Sequence, residues 1–423
     1  MASNRLMEKA YNILVITDYP LEEYIGGSVR FLYEQCTCLA NRGHNVHILT
    51  RQESCTEGYA DSGGLQQWKF AVNNSSRLQN IGSIFLNSRQ LYVRLTQNHS
   101  YDVIIAHQPF AAFNILRAAA DENTLQIYIC HSLSFEEYIS RNKKPSGIKG
   151  RLAYALNIII RKYIEKWTLR RVSKIVVLSE FTQHKLLSEY HTPSDKIVLI
   201  PGGVDLNRFR PAGDKTVVRK RLGVPQNKVV LLTVRNLVPR MGLENLIRAA
   251  SLIKAATPDF YLIIGGQGPL MPTLKKLIQE LDLTDRVELP GFIPDESLPG
   301  YYRAADLFVL PTKELEGFGL VTLEALASGV PMLGTPVGGT LEIIRKFNPE
   351  FIFSDATPTA MAEQMNEKYQ TVHAAPDQWE LVSARCRAFV EANYSWDMNV
   401  HQLEALIEAN IDQPSKKRIA SAN

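Results

Sequence analysis

The segment Glu316-Gly-Phe-Gly-Leu-Val-Thr-Leu-Glu324 sets two carboxylates on either side of a Gly-Phe-Gly turn. The turn runs into a helical pattern from Leu320 to Ser328, which stops at Gly329. Two glycines let backbone N–H groups come close to an anion. A helix N-terminus adds unpaired donors and the positive end of the dipole. Leu320 and Val321 occupy that first turn, just after Phe318 and Gly319. Glu316 precedes the turn and Glu324 lies about one turn inside the helix, so each acid can grip a group on one side of a bound anion. Sugar and ribose hydroxyls flanking a diphosphate fit this layout. The plainer alternative is a loop–helix unit with solvated glutamates.

Other residues suit the same chemistry. Arg235 ends a strand pattern, and Arg240 precedes Gly242 and a helix. A guanidinium can hold phosphate oxygens bidentately, although two surface arginines would read the same way. No Asp-x-Asp pair occurs anywhere, so no metal is expected, and protein cations and helix dipoles must neutralise the diphosphate. Gly26-Gly27 stand at the first strand-to-helix turn, where a loop can approach a phosphate or sugar. Gly266 and Gly268 lie in Gly265-Gly-Gln-Gly-Pro269, and Pro269 breaks the dinucleotide fingerprint. His131 and His107 each follow a strand and are candidates for a rim, against the commoner structural role of a lone histidine. His44 and His47 read as local packing.

Elements that would position these residues alternate along the chain. Strands are expected at 13–17, 46–49, 103–106, 126–130, 175–178 and 197–200. After a break at Pro201-Gly202-Gly203, a second series is expected at 229–233, 260–264, 287–289, 307–310 and 331–333. Such alternation argues for parallel sheets in two Rossmann-like domains with a cleft between them, and ligands at the carboxyl ends of the strands. A chain of 423 residues also exceeds one ordinary core. The domains are expected at 1–205 and 206–395, with a final helix at about 396–412 and a disordered tail at 413–423.

At 45% hydrophobic and 21% charged residues, the composition is that of a globular protein. No apolar run is long enough to span a membrane, and no signal peptide is recognisable. The five cysteines (36, 38, 55, 130 and 386) show no metal spacing and read as free thiols in a reducing compartment. The net charge of +4 is unevenly spread. Between Arg141 and Lys174 only Glu165 opposes a run of lysines and arginines interleaved with apolar residues. That basic amphipathic segment suits an anionic membrane surface, or a helix that buries its stripe on the domain. No nucleic-acid motif accompanies it, so no nucleic-acid partner is expected.

Taken with NILVITDYPLEEYIGGSVRFLYEQCTCLANRGHNVHILT, VVLSEFTQHKL, IVLIPGGVDLNRFRP, VVLLTVRNLVPRMGLENLIRA, YLIIGGQGPLMPTLKKL and VELPGFIPDESLPGYYRAADLFVLPT, the segment PTKELEGFGLVTLEALASGVPMLGTPVGG resembles family-4 retaining glycosyltransferases. The resemblance covers most of residues 12 to 345. It implies an α/β protein of the GT-B fold, two Rossmann-like domains facing across a cleft, with the C-terminal helix crossing back onto the first domain. It also implies a retaining, metal-independent hexosyltransferase without a cofactor, acting by front-face attack. The expected donor is a nucleotide sugar, UDP-glucose, and the expected acceptor is a glycan or a lipid-linked intermediate. The expected location is the cytoplasm, with peripheral membrane contact through 141–174. By resemblance, His131 lies near donor sugar and acceptor, Glu316, Phe318 and Gly319 orient the sugar, Glu324 holds the ribose, and Phe292 belongs to the strand end that reads the base. His131, Glu316 and Arg240 are the catalytic candidates.

One segment departs from the family pattern. Many relatives carry Gly-Arg-Leu and then Lys-Gly, where this chain has Arg235-Asn236-Leu237 and Met241-Gly242. Arg235 and Arg240 are expected to replace the missing cations, and Met241→Lys to raise activity if the family's geometry is intact. Two alternatives stay open: a nucleotide-sugar epimerase of the same fold, and a nucleotide-sugar-binding protein with a decayed site.

Overall fold

The computed structural model describes residues 9–21, 26–52, 56–62, 64–75, 77–119, 124–142 and 144–411. Cys55, Lys143 and the tail expected at 413–423 lie outside them. The chain divides into two compact units. Unit 1 is Met1–Pro201 with Trp396–Asn423, and unit 2 is Gly202–Ser395. The boundary falls before Val204 because its N–H donates to Tyr394 O at 3.0 Å and it bridges Ser395, both in unit 2.

Unit 1 contains β1 (Asn12–Ile16), β2 (Asn45–Gln52), β3 (Gly58–Ser62), β4 (Leu65–Ala71), β5 (Val103–Ala106), β6 (Leu125–Cys130), β7 (Lys174–Val177) and β8 (Ile197–Leu199). They form one sheet in the order β3-β4-β2-β1-β5-β6-β7-β8. Every pairing is parallel except β3 with β4. Ile13 pairs with both Val46 and Val103, so β1 is central and reads as an unbroken apolar run, as strands covered on both faces do. The β3–β4 hairpin was not expected. Its second strand, LQQWKFA, carries Gln67 and Lys69 at buried positions, which hides the apolar pattern.

Unit 2 contains β9 (Val229–Val234), β10 (Phe260–Gly265), β11 (Val287–Gly291), β12 (Leu307–Leu310) and β13 (Met332–Gly334). They form an all-parallel sheet ordered β11-β10-β9-β12-β13. The fold is mixed α/β with two Rossmann-like units, as expected.

The last helix, Trp396–Ile411, packs on unit 1 against the helix Gly27–Asn41. Gln35 donates to Asn399 at 2.8 Å, and the Arg42 fork grips Glu404 at 2.7 and 2.8 Å. His44 Nε2 meets Glu404 Oε1 at 3.1 Å, while His44 Nδ1 accepts from Tyr11 N at 3.2 Å. Burial works to raise the Glu404 pKa, but the hydrogen bonds from His44 and Arg42 win and hold it below the usual range. His44 and Arg42 thus do more than local packing: they dock the C-terminal helix. Cys36, Cys38, Cys130 and Cys386 are free, and Cys36 and Cys38 share the first helix.

Candidate functional site

In unit 2 the strand-end loops are locked together by backbone contacts. β9 leads into a loop from Arg235 to Gly242, and β12 leads into one from Pro311 to Gly319. Lys313 N donates to Arg240 O at 2.8 Å across the two. Gly242 has φ +72°, and a Cβ there would lie 1.8 Å from Pro311 O, so only glycine permits this approach. Gly266 does the same job on the other side: a Cβ would lie 1.9 Å from Arg235 O. Its neighbours Gln267 and Leu270 exchange hydrogen bonds with Leu237 at 2.9 and 3.0 Å. Gly268 also packs against the Leu237 carbonyl. The glycines read as phosphate loops in sequence thus first serve loop-to-loop packing.

The Arg235 guanidinium is buried, and part of its fork is committed within the protein. Its Nη2 donates to Glu316 Oε2 and reaches Thr312 Oγ1 at 3.3 Å. The same nitrogen lies 2.8 Å from Met241 Sδ, and Nε lies 3.3 Å from it. The positive charge near residue 241 therefore comes from the strand end, with a neutral thioether beside it. A lysine at 241 would set an ammonium against this guanidinium, which reverses the expectation that Met241→Lys raises activity. Arg240 Nη1 donates to Leu315 O at 2.7 Å. Leu315 holds φ +55°, strained for a branched residue, in the step before Glu316. Arg240 thus shapes the loop that presents Glu316, a role that sequence reading missed. Asn236 is exposed.

Glu324 lies in the helix Leu320–Ala327 and is buried, with Tyr302 Oη donating to its Oε2 at 2.7 Å. Gly319 caps that helix, and Leu320 and Val321 form its first turn. Gly339 N donates to Glu316 O at 2.8 Å, fixing the other end of the turn. The Phe318 ring does not face open space: it is buried, 6.3 Å from Tyr394, and a Cβ on Gly202 would strike it. A role for Phe318 in orienting a sugar therefore falls to its backbone, because the ring is committed to packing. Phe292, after β11, is 55% exposed. Arg235, Glu316 and Glu324 are three charged side chains buried near carboxyl strand ends, held by Thr312 and Tyr302. YYRAAD and Pro311-Thr312 were visible in the sequence, but their pairing was not.

Unit 1 presents a different rim. His107 follows β5 and His131 follows β6, with His107 Nδ1 and His131 Nε2 3.0 Å apart and the rings stacked. Burial pushes His131 down to about 4 and His107 well below its ordinary value, so both are neutral. His107 Nε2 is buried without a partner among the described residues. One neutral ring donates to the other across this contact, and the tautomers set which. Phe31 lies edge-on to both His131 and Trp396, linking the C-terminal helix to this rim. Asp18, after β1, caps the helix Pro109–Ala118 through Phe110 N and Ala111 N at 3.1 and 2.7 Å. Burial raises its pKa against those hydrogen bonds. Gly26 precedes and Gly27 opens the helix Gly27–Asn41, and 22–25 lie outside the described residues. Among the described residues no group of three or more His, Cys, Asp or Glu could hold a metal ion.

Comparison with known proteins agrees with this architecture. Residues 25–208 match the family model Glycosyltransferase Family 4, and residues 214–371 match Glycosyl transferases group 1. The chain is 30% identical over 239 residues to the GDP-mannose-dependent alpha-(1-6)-phosphatidylinositol monomannoside mannosyltransferase of Mycolicibacterium smegmatis, covering 51% of this chain and 62% of that protein. It spans about three fifths of the length of the first such curated relatives. Among solved structures it is similar to a sucrose-phosphate synthase from Thermosynechococcus elongatus, with TM-score 0.77, 21% identity and coverage of 94% and 98%. It also resembles Anabaena HepE, solved with UDP and glucose, with TM-score 0.71, 19% identity and coverage of 94% and 100%.

Proposed function

Starting from a chain that carries a family 4 and a group 1 glycosyltransferase domain in the GT-B fold, we propose that it moves a hexose from a nucleoside diphosphate hexose to a glycan or lipid-linked acceptor. The buried charge set of Arg235, Glu316 and Glu324 at the strand ends of unit 2 carries this reading. Glu324, aimed by Tyr302, accepts from ribose hydroxyls. Glu316 accepts from hydroxyls of the donor hexose. Arg235 offers the remaining guanidinium N–H groups to the diphosphate, together with the first turn of the helix Leu320–Ala327.

The reaction is read as retaining. The bond from the anomeric carbon to the diphosphate oxygen breaks, and the acceptor oxygen bonds to that carbon on the same face. The departing diphosphate oxygen takes the acceptor proton. Charge grows on the diphosphate as the bond breaks, and fixed donors favour that state without reorganising. His131 is neutral, and a neutral imidazole can donate to or accept from a hydroxyl. No metal is required in this account, and no cofactor beyond the donor.

UDP-glucose is the first donor to test. GDP-mannose is the second reading, because a similar curated protein is described as GDP-mannose-dependent. A lipid-linked acceptor is favoured by the helix Ile148–Arg171. Ile148, Leu152, Leu156, Ile159 and Tyr163 recur every three or four residues, so they share one side, and each is more than half exposed. Lysines and arginines flank them, which suits peripheral contact with an anionic leaflet. No helix among the described residues is long and apolar enough to cross a membrane.

Incubation with UDP-glucose, GDP-mannose and ADP-glucose in excess EDTA tests the reading. Slow release of free hexose from one donor, with the anomeric configuration kept, is expected. Failure of all three to bind, or strict dependence on Mg²⁺ or Mn²⁺, would overturn it.

A further inference from the structure

Unit 1 holds a cleft at the edge of its sheet. It has a volume of about 400 Å³ and lies between the β3–β4 hairpin and the C-terminal part of the helix Arg77–Asn98. β4 stands two strands out from β1, away from His107 and His131. Leu91 and Leu95 are buried beneath it. Tyr59 and Trp68 face each other across the two strands, with ring centroids 4.7 Å apart. Tyr59 is 53% exposed. His99 stands 6.3 Å from Trp68 on the other side. The rim carries an ion pair between Arg94 and Glu57, whose side chains are 54% and 40% exposed.

We propose that this cleft binds a pyranose ring of an oligosaccharide, at a point separate from the donor residues of unit 2. The size is that of an ordinary small-ligand site, with an apolar floor and a few converging polar groups. A hexopyranose has an apolar face of C–H groups that packs on the electron-rich face of an aromatic ring, here Tyr59. Its edge carries hydroxyls that both donate and accept. Glu57 can accept, Arg94 can donate, and His99 can do either, so neighbouring hydroxyls find both kinds of partner. An exposed ion pair adds little to stability, so the pair can turn to a ligand at small loss. An acceptor of several sugar units would be held by the cleft at a point remote from the reacting end. The inference stands on this cleft alone and survives failure of the donor assignment.

Titration calorimetry and saturation-transfer NMR with maltoheptaose and with an α-mannan oligosaccharide test it, using wild type, Tyr59→Ala and Arg94→Ala. At least one of the two glycans should bind. Each variant should loosen that binding at least ten-fold while keeping the wild-type melting temperature and UDP affinity. Absence of binding by both glycans would overturn the proposal, as would equal affinity in the variants or displacement of the glycan by UDP.

Discussion

The strand ends of the two units carry opposite electrostatics on similar scaffolds. In unit 1, β5 and β6 end in two stacked histidines that burial keeps neutral. In unit 2, β9 and the loop after β12 end in a buried guanidinium–carboxylate pair, with a second buried carboxylate on the following helix. The ends of β5 and β6 in unit 1 carry neutral rings, while unit 2 has charges already desolvated and aimed. Desolvation of such groups has a large cost that only good partners offset. Arg235 and Glu316 have each other, Thr312 and the Met241 sulfur. The contrast suits a division in which one rim binds a charged diphosphate and the other handles neutral hydroxyls.

The sharpest way to break that comparison is to remove the cation. Arg235→Met leaves Glu316 buried beside no guanidinium, and deleting one member of a buried pair typically costs about 3–5 kcal/mol. Urea unfolding should show a loss of that order confined to unit 2, and UDP affinity should fall with it. A loss below about 1 kcal/mol would show that the pair is not buried in solution.

A smaller effect is expected from Met241→Lys. The new ammonium would crowd the Arg235 guanidinium, so turnover should fall. The double variant Arg235→Met, Met241→Lys should recover part of it, because the charge is then supplied once from the other position. Turnover that rises in Met241→Lys alone would show that the guanidinium does not occupy that space.

On the unit 1 side the expected effect is confined to a pH window. Glu165 is fully buried, and burial pushes its carboxyl up to about 7 despite hydrogen bonds from Tyr190 and Ser134 N. The folded chain holds a proton that the unfolded chain releases above its ordinary value of 4.5. The associated stability is present below that value and lost as pH rises to about 7. His131 has the opposite sign: its contribution is full above the ordinary value of 6.5 and lost as pH falls towards 4. Glu165→Gln should therefore raise stability at pH 7 relative to pH 5, compared with wild type, in thermal melts at both pH values. An unchanged pH dependence would mean that Glu165 is not buried as described.

Much of the scaffold was legible because its strands are apolar on both faces. Val229–Val234 and Val103–Ala106 read as strands with no help from partners. The β3–β4 hairpin did not, since Gln66, Gln67 and Lys69 interrupt the apolar alternation. Glu316 and Glu324 were legible from the turn between them. The Arg235–Glu316 pair was not, because its members lie 81 residues apart and meet only when β9 and β12 pair. The bond from Arg240 to the Leu315 carbonyl was not legible for a similar reason: carbonyls leave no mark in a sequence.

The central claim is that unit 2 holds a nucleoside diphosphate through Glu324, and calorimetric titration of UDP and GDP into wild type and Glu324→Gln tests it most directly. At least one nucleotide should bind wild type, and the variant should lose about 1–3 kcal/mol of that affinity, the range for a hydrogen bond to a charged group. Equal affinity in a folded Glu324→Gln protein, or no binding of either nucleotide to wild type, would contradict the account.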